Sequence, residues 1–197
     1  MVINLQTGNR DAWLARWLRE LKYRTGAGVL LELGCGAGRD TPVLSDIGQV
    51  INADISGDAL LQCKQDIPGA LPVLLDISRP LPFADASFNV VVASLCLHYF
   101  TWDVTRNIRD EIGRCLADNG LLLVRVNSTN DIHYGASGYP ELESGLYDVK
   151  GQTKRFFSKD DISALFTGAW LIKNMEEMTV DRYAKPKSLW ELVMEKR

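Results

Sequence analysis

A glycine-rich stretch, LLELGCGAGRD, occupies residues 30–40. Its glycines stand at alternate positions, Gly34, Gly36 and Gly38, and Glu32 precedes them by two residues. Glycines at this spacing leave backbone N–H groups open to a ligand. A fixed carboxylate at Glu32 would repel a pyrophosphate but attract an ammonium or a sulfonium group. The stretch therefore predicts a binding loop for a ligand that is cationic at one end.

Two further acids follow the glycine loop along the chain. Asp54 ends the run QVINAD, where a carboxylate can accept both hydroxyls of a ribose. Asp76 ends the run PVLLD, and with the backbone N–H of Ile77 it can read the edge of an adenine, while Ile55 and Ile77 sandwich the ring. These positions indicate a nucleoside ligand. Each acid alone has a structural interpretation, because an aspartate at a strand end is commonly a turn or helix cap.

Segments typical of strands and helices alternate around these residues. Apolar strand-like runs lie at residues 28–33, 49–55, 72–77, 88–97 and 121–127, with helix-like segments between them at residues 39–47, 58–65 and 104–116. The alternation predicts an α/β fold with a doubly wound, Rossmann-like and mostly parallel sheet. Ligands of such sheets bind at the carboxyl ends of the strands, where the glycine loop and both aspartates fall.

The flanking segments predict the rest of a single domain over residues 1–197. An amphipathic helix is predicted at residues 11–24, and an antiparallel pair at 170–180 and 188–196 brings the sheet to seven strands. The sequence predicts an irregular loop over residues 128–153. Because this loop is too long for a simple connection, it is a candidate for a functional role. We therefore divide the chain into an N-terminal helix (1–25), a cofactor core (29–127), an acceptor-side loop (128–157) and a C-terminal helix with a strand pair (158–197).

Composition and net charge limit the classes to which this protein can belong. The chain has 197 residues, 46% of them hydrophobic, and a net charge of −3, which predicts one globular domain and disfavours a nucleic-acid partner. No apolar run is long enough for a membrane span, and the first residues lack a leader pattern, so we expect a cytoplasmic monomer or homodimer without a membrane partner. Four scattered cysteines and two histidines favour neither disulfides nor a metal site.

With these motifs in order over residues 29–127, the chain resembles the class I SAM-dependent methyltransferases. The resemblance implies S-adenosylmethionine (SAM) as cofactor and S-adenosylhomocysteine (SAH) as product. It also implies the binding residues, which are Gly34, Gly36 and Gly38 for the methionine part, Asp54 for the ribose, Asp76 and Ile77 for the adenine, and Ser94 near the sulfur. Glu32, Cys35 and Ile55 complete the predicted cofactor-binding set. The segments NDIHYG, RFFSKDDISALF and RYAKPKSLWELV are similar to small bacterial methyltransferases of the tellurite-resistance type. That similarity favours a small-molecule acceptor.

Several residues are candidates for the acceptor end of the site. Methyl transfer is an in-line displacement that chiefly requires alignment of the reactants, and a general base is needed only for a protonated nucleophile. His98 is the candidate base, with a structural histidine as the alternative. Arg125 lies inside the apolar run LLLVRVN and must pair with a buried carboxylate or an anionic substrate. The candidate lining residues, which can also be ordinary loop residues, are Asn127, His133, Tyr134 and Tyr147.

Two other functions remain open at this point. One is a SAM-binding or scaffold protein without turnover. The other is a nicotinamide oxidoreductase, which the glycine spacing disfavours because the third glycine of a GxGxxG pattern comes one residue early and Arg39 stands in its place. The repulsion expected between Glu32 and a pyrophosphate also disfavours it.

Overall fold

The computed structural model describes residues 13–26 and 28–197. Its strands are β1 (Val29–Leu33), β2 (Gln49–Asp54), β3 (Leu71–Leu74), β4 (Phe88–Ser94), β5 (Leu116–Asn127), β6 (Glu141–Glu143), β7 (Leu146–Val149), β8 (Gln152–Arg155), β9 (Trp170–Val180) and β10 (Lys187–Lys196). The main sheet has seven strands in the order β3-β2-β1-β4-β5-β10-β9. Strands β1 to β5 run parallel, and β10 lies antiparallel between β5 and β9. The predicted fold class is confirmed.

Within the described part of the chain, five α-helices cover the sheet, namely α1 (Leu18–Thr25), α2 (Thr41–Ser45), α3 (Gly57–Asp66), α4 (Trp102–Cys115) and α5 (Lys159–Leu165). Side chains define two of the helix starts. The Ser56 hydroxyl accepts a hydrogen bond at the start of α3, and Ser158 and Asp161 form a capping box at α5. The start of the helix predicted at residues 11–24 lies outside the described residues, and α1 itself begins only at Leu18 after a 3-10 turn.

Apolar residues of the central strands pack on both faces of the sheet. Neighbouring residues of a strand point to opposite faces, so Leu30 joins a cluster with Leu21 of α1 while Leu31 joins a cluster with Ile108 of α4. Burial on both faces explains why the parallel strands read as continuous apolar runs.

A row of polar residues crosses five strands near the carboxyl ends of the parallel ones, on the face covered by α1. We name it the polar row, and it consists of Asn52, Glu32, Ser94, Arg125 and Glu191. Backbone register places Glu32 beside Asn52, and Arg125 beside both Ser94 and Glu191. At the edge of the sheet where the loops begin, the polar row thus stands in place of the apolar side chains that cover the rest of this face.

Several predicted segments differ from the structure in their bounds, among them the third strand, which ends at Leu74 rather than at residue 77, and two differences bear on the site. The fourth strand ends at Ser94 rather than at residue 97, because Leu95 adopts φ +58° and the chain turns to place Cys96 against Gly34. The loop predicted at residues 128–153 contains most of a three-stranded antiparallel sheet, β6-β7-β8. That part of the prediction was wrong, since polar strands lack the apolar alternation on which it relied.

Candidate active site

The glycine loop after β1 is held tightly against its neighbours. Gly34, Gly36 and Gly38 have φ values of +64°, +55° and +84°. A Cβ on Gly34 would lie 2.3 Å from the Cβ of Cys96, whereas one on Gly36 would meet no atom within 4 Å. Gly34 is therefore needed for packing, and Gly36 leaves its backbone open toward the space where a ligand can approach.

A cavity of about 80 Å³ lies in front of this loop. Its lining residues are Glu32, Leu33, Gly34, Cys35, Arg39, Asp40, Ser94, Arg125 and Arg182. The cavity stands at the carboxyl ends of β1, β4 and β5, beside the point between β1 and β4 where the strand order reverses. The structure thus brings together Glu32, Gly34, Cys35 and Ser94 from the predicted cofactor set, and it adds Arg125 from the predicted acceptor set.

Glu32 is almost completely buried at the floor of this cavity. Its Oε2 accepts hydrogen bonds from Thr41 Oγ1 at 2.6 Å and from Asn52 Nδ2 at 2.8 Å. Burial raises the pKa of Glu32 to about 7, although these two hydrogen bonds favour the charged form. A cationic ligand in the cavity would lower this pKa by stabilising the carboxylate.

Arg125 is fully buried beside the cavity. Its Nε donates to Ser94 Oγ at 3.0 Å, and its terminal nitrogens lie 4.0 Å from carboxylate oxygens of Asp40 and Glu191. The guanidinium also stacks 4.7 Å from the centroid of the Trp13 ring. Buried carboxylates therefore supply the partners that the sequence required for this arginine.

Asp54 organises the glycine loop from the end of β2. Its Oδ2 accepts the Gly36 N–H at 2.8 Å, and its Oδ1 accepts the Ser56 N–H at 2.9 Å. A carboxylate offers about four acceptor positions, so these two bonds leave room for two hydroxyl donors.

The residues predicted to lie at the adenine are Asp76, Ile55 and Ile77. Asp76 Oδ1 accepts hydrogen bonds from the backbone N–H and hydroxyl of Ser78, and these bonds lower the pKa of Asp76. Ile55 is 71% exposed and available as an apolar wall, whereas Ile77 is 8% exposed and packs in the core. Ile77 also lines a cavity together with Ser78 and Ile108, and the place of its side chain beside an adenine ring stays a prediction.

His98 lies in a 3-10 turn, Leu97–Tyr99, that follows β4. The residue is buried, and its Nδ1 has no hydrogen-bond partner among the described residues. Burial, together with the ammonium groups of Lys187 and Lys154, lowers the pKa of His98 to about 3. The imidazole is thus neutral at pH 7.

The small sheet β6-β7-β8 packs against the turn that carries His98. Thr153 Oγ1 donates to the Tyr99 carbonyl at 2.7 Å, and the buried Arg155 donates to the Phe100 carbonyl and pairs with Glu143. Residues of the predicted acceptor-side segment therefore contact the backbone next to His98.

The other predicted acceptor residues differ in their placement. Asn127 is buried at the end of β5, where its Nδ2 donates to the Arg155 carbonyl and its Oδ1 has no partner among the described residues. The Tyr134 hydroxyl accepts the Lys185 N–H at 3.0 Å. His133 is exposed, and Tyr147 packs on Phe156 within the small sheet. The described contacts do not join these last two residues to His98.

Sequence reasoning missed residues that arrive from the C-terminal strand pair. The segment DRYAKPK, residues 181–187, connects the two predicted C-terminal strands and was given no site residue, yet Arg182 lines the cavity and the charge of Lys187 helps to lower the pKa of His98. The ring centroid of Tyr183 in the same segment lies 5.6 Å from that of Tyr134. Three cations and a tyrosine in one short connection at the carboxyl edge of the sheet were the available signal.

Two features are absent from the described residues, 13–26 and 28–197. No helix in these ranges is long and apolar enough to cross a membrane. No group of three or more His, Cys, Asp or Glu side chains in the same ranges is arranged to hold a metal ion.

Comparison with known proteins assigns the core of the chain. Residues 31–124 match the family model described as a methyltransferase domain. An uncharacterized methyltransferase of Synechocystis sp. is 30% identical over 118 residues, which are 59% of this chain and 55% of the relative. This chain spans 55% to 64% of the length of the curated relatives it matches.

Solved structures share the fold at low sequence identity. The 1,6-didemethyltoxoflavin-N1-methyltransferase of Burkholderia thailandensis, solved with 1,6-didemethyltoxoflavin and SAH, matches with a TM-score of 0.68 and 20% identity, over 95% of this chain and 81% of that one. TehB from Haemophilus influenzae matches with a TM-score of 0.66 and 12% identity, over 92% of this chain and 62% of that one.

Proposed function

Because residues 31–124 are a methyltransferase domain within the fold of the class I SAM-dependent methyltransferases, we propose that this protein transfers the methyl group of SAM to a small-molecule acceptor. The resemblance drawn from the sequence agrees with this family. The nature of the acceptor and the in-line course of the reaction are part of the proposal. The small molecule bound to the Burkholderia methyltransferase supports an acceptor of that size.

One observation carries the proposal, namely the charge pattern of the cavity before the glycine loop. Glu32 suits the ammonium of a methionine moiety, and Arg39, Arg125 and Arg182 surround the space that its carboxylate requires. Asp54 stands at the end of the next strand with acceptor positions for ribose hydroxyls. The residues present therefore fit SAM.

Alignment of the two reactants is the main task of the protein in this mechanism. SAM supplies, when bound, a methyl carbon on a positively charged sulfur. Asp54 fixes the ribose, and the glycine loop and Ser94 position the sulfur end, with Asp76 and the Ile77 N–H at the adenine. Correct orientation supplies about 7 to 11 kcal/mol of the rate enhancement in well-aligned reactions.

His98 accepts the proton of the nucleophile in this mechanism. When bound, SAM would supply the methyl group to an oxygen or nitrogen of the acceptor, and Nδ1 of His98 would take the proton that this nucleophile loses. Nδ1 has no partner among the described residues, and the low pKa of His98 keeps it unprotonated at pH 7. Asn127 and Tyr134 line the acceptor, and His133 and Tyr147 belong to the segment that covers it.

The division of the chain follows the same proposal, with residues 29–127 binding the cofactor and residues 128–157 facing the acceptor. We also assign the protein to the cytoplasm. Its four cysteines, Cys35, Cys63, Cys96 and Cys115, are all buried free thiols, which suits a reducing compartment.

Thermal unfolding with SAM, SAH and NAD added separately tests the cofactor. A ligand at one hundred times its dissociation constant stabilises the native state by about 2.7 kcal/mol. We expect SAM and SAH, but not NAD, to raise the melting temperature. Stabilisation by NAD alone, or by none of the three, would contradict the proposal. Consumption of SAM on addition of metabolite pools then separates an enzyme from a scaffold that only binds SAM.

A further inference from the structure

We propose that the methyl acceptor is a small aromatic anion whose acidic group pairs with the ammonium of Lys187, with its nucleophile beside His98. This inference rests on the proposed function, because it names the substrate class for the same site. Three observations on the described residues carry it: the placement of Lys187, the cations around it, and three buried polar atoms without a hydrogen-bond partner.

Lys187 is the first residue of β10 and is only partly exposed. Its Nζ lies 5.6 Å from the centroid of the Tyr134 ring and 5.4 Å from that of Tyr183. Among the described residues, no carboxylate oxygen lies within 4.0 Å of this ammonium. A cation beside two adjacent aromatic rings, with no carboxylate paired to it among the described residues, is prepared for an anionic ligand with a planar ring.

The charges around Lys187 are mostly positive. Burial lowers the pKa of Lys187, Asp131 acts against this change, and Lys154 and Arg182 add to it. Asp131 already accepts the backbone N–H groups of His133 and Tyr134 through its Oδ1. Among the described residues, two further cations and one carboxylate thus act on Lys187, and an anionic ligand would add negative charge beside it.

Three buried atoms at this end of the sheet have no hydrogen-bond partner among the described residues, namely His98 Nδ1, Asn127 Oδ1 and Asp131 Oδ2. Lys187 acts electrostatically on both His98 and Asp131, and its strand pairs with β5 next to Asn127. All three atoms therefore belong to one region. Buried polar atoms normally find a partner, and the two oxygens require donors. A hydroxyl or N–H group on the acceptor satisfies that need.

These features together describe the acceptor. Its acidic group faces Lys187, its ring lies near Tyr134 and Tyr183, and its O–H or N–H group is directed to the unpartnered atoms. Hydroxybenzoates combine these groups in the smallest form and serve as probes of the class.

The test compares the 2-, 3- and 4-hydroxybenzoates with the corresponding neutral hydroxybenzamides by calorimetric titration into the SAH-loaded protein. We expect at least one benzoate to bind ten times more tightly than its amide. Lys187→Met should reduce that ratio below three, while Lys187→Arg, which keeps the charge, should retain most of it. Lys185→Met, in the same hairpin and exposed, should leave the ratio unchanged.

The outcomes separate this inference from the proposed function. SAH that binds to wild type and to Lys187→Met equally shows that the variant is folded and that the cofactor site is intact. If no benzoate is preferred over its amide, or if the preference survives in Lys187→Met, the inference is overturned while the methyltransferase assignment stands. If SAH itself does not bind, both proposals fail.

Discussion

Single residues at the cofactor end serve both the fold and the proposed site. Asp54 closes the glycine loop through the Gly36 N–H and keeps acceptor positions directed to the ligand. Glu32 is bonded to Thr41 and Asn52 and also lines the cavity. Substitution of either residue therefore has to be measured for stability as well as for binding.

Replacement of Asp54 by alanine is expected to weaken SAH binding about 10- to 100-fold. Hydrogen bonds to a charged group contribute roughly 1.5 to 3 kcal/mol each, and 1.4 kcal/mol is a factor of ten in affinity. Calorimetric titration measures the change. Asp46→Ala removes an exposed acid at the end of α2 and serves as the control. An unchanged affinity in Asp54→Ala would contradict the placement of the ribose.

Glu32 should make the unliganded protein less stable as the pH rises. Its pKa is about 7 in the folded chain against an ordinary value of 4.5, so the folded state binds the extra proton between these values. Stability is then lost as the pH rises from about 4.5 through 7, by roughly 3 kcal/mol at 1.36 kcal/mol per pKa unit.

Urea unfolding of wild type and Glu32→Gln from pH 5 to pH 8 checks this expectation. His98 acts in the opposite direction below pH 6.5, since its pKa is lowered on folding and stability is lost as it becomes protonated in the unfolded chain. The difference between the two proteins isolates Glu32. A difference that does not vary with pH would contradict the raised pKa.

The positions of site residues could be predicted from the sequence where a single strand determines them. Glu32 and Asp54 stand at the ends of apolar runs, and parallel strands bring such ends to one edge. Asp131 and Lys187 were not predictable in this way, because their proximity depends on the pairing of β10 with β5, over sixty residues of chain. Antiparallel register of that kind is not visible in local composition.

Packing against neighbouring elements determines at which positions of the glycine loop a side chain can be accommodated. The turn after β4 presses Cys96 against Gly34, while nothing lies within 4 Å of a Cβ on Gly36. The two positions share a positive φ and differ in packing. They form a matched pair of test sites.

Gly36→Ala should destabilise the unliganded protein by about 1 to 2 kcal/mol, the cost of a left-handed conformation for an ordinary residue. Gly34→Ala should lose about 1 to 3 kcal/mol more, because its Cβ would overlap the Cβ of Cys96. Denaturant unfolding measures both. Equal losses at the two positions would show that the close packing of the loop on the β4 turn has no energetic effect.

The parallel elements were predictable because burial on both faces requires continuous apolar runs. The small sheet was not, since β8 (QTKR) and β6 (ELE) are polar. Its hairpin between β7 and β8 turns at Lys150 and Gly151, both with positive φ, and Asp148 Oδ1 accepts the Gly151 N–H. A Lys-Gly pair between short runs was the signal available in the sequence.

Across the whole molecule, the polar row connects the N-terminal region to the C-terminal strands. Arg16 pairs with Glu191 at 2.6 Å, and Glu191 stands beside Arg125, whose guanidinium stacks on Trp13. The stability of each buried charge in this series of ion pairs depends on its neighbours. Removal of one member leaves its partner buried without compensation.

Arg125→Met is therefore expected to cost about 3 to 5 kcal/mol of unfolding free energy. The double variant Arg125→Met, Glu191→Met should be more stable than the sum of the single changes indicates, by roughly 0.5 to 3 kcal/mol. Arg79→Met, at an exposed arginine, should change stability by less than about 0.5 kcal/mol. Strict additivity of Arg125→Met and Glu191→Met would contradict a coupled polar row.

The position of β10 between β5 and β9 has a consequence for biosynthesis. During translation, the segment up to residue 180 emerges first and includes the glycine loop, Asp54 and Arg125, while Glu191 and Lys187 are still to be made. Until residues 187–196 arrive, β5 is an open sheet edge. A nascent chain at this stage therefore carries the residues of the proposed cofactor site but not Lys187, and the edge of β5 is open to a chaperone that covers exposed strands.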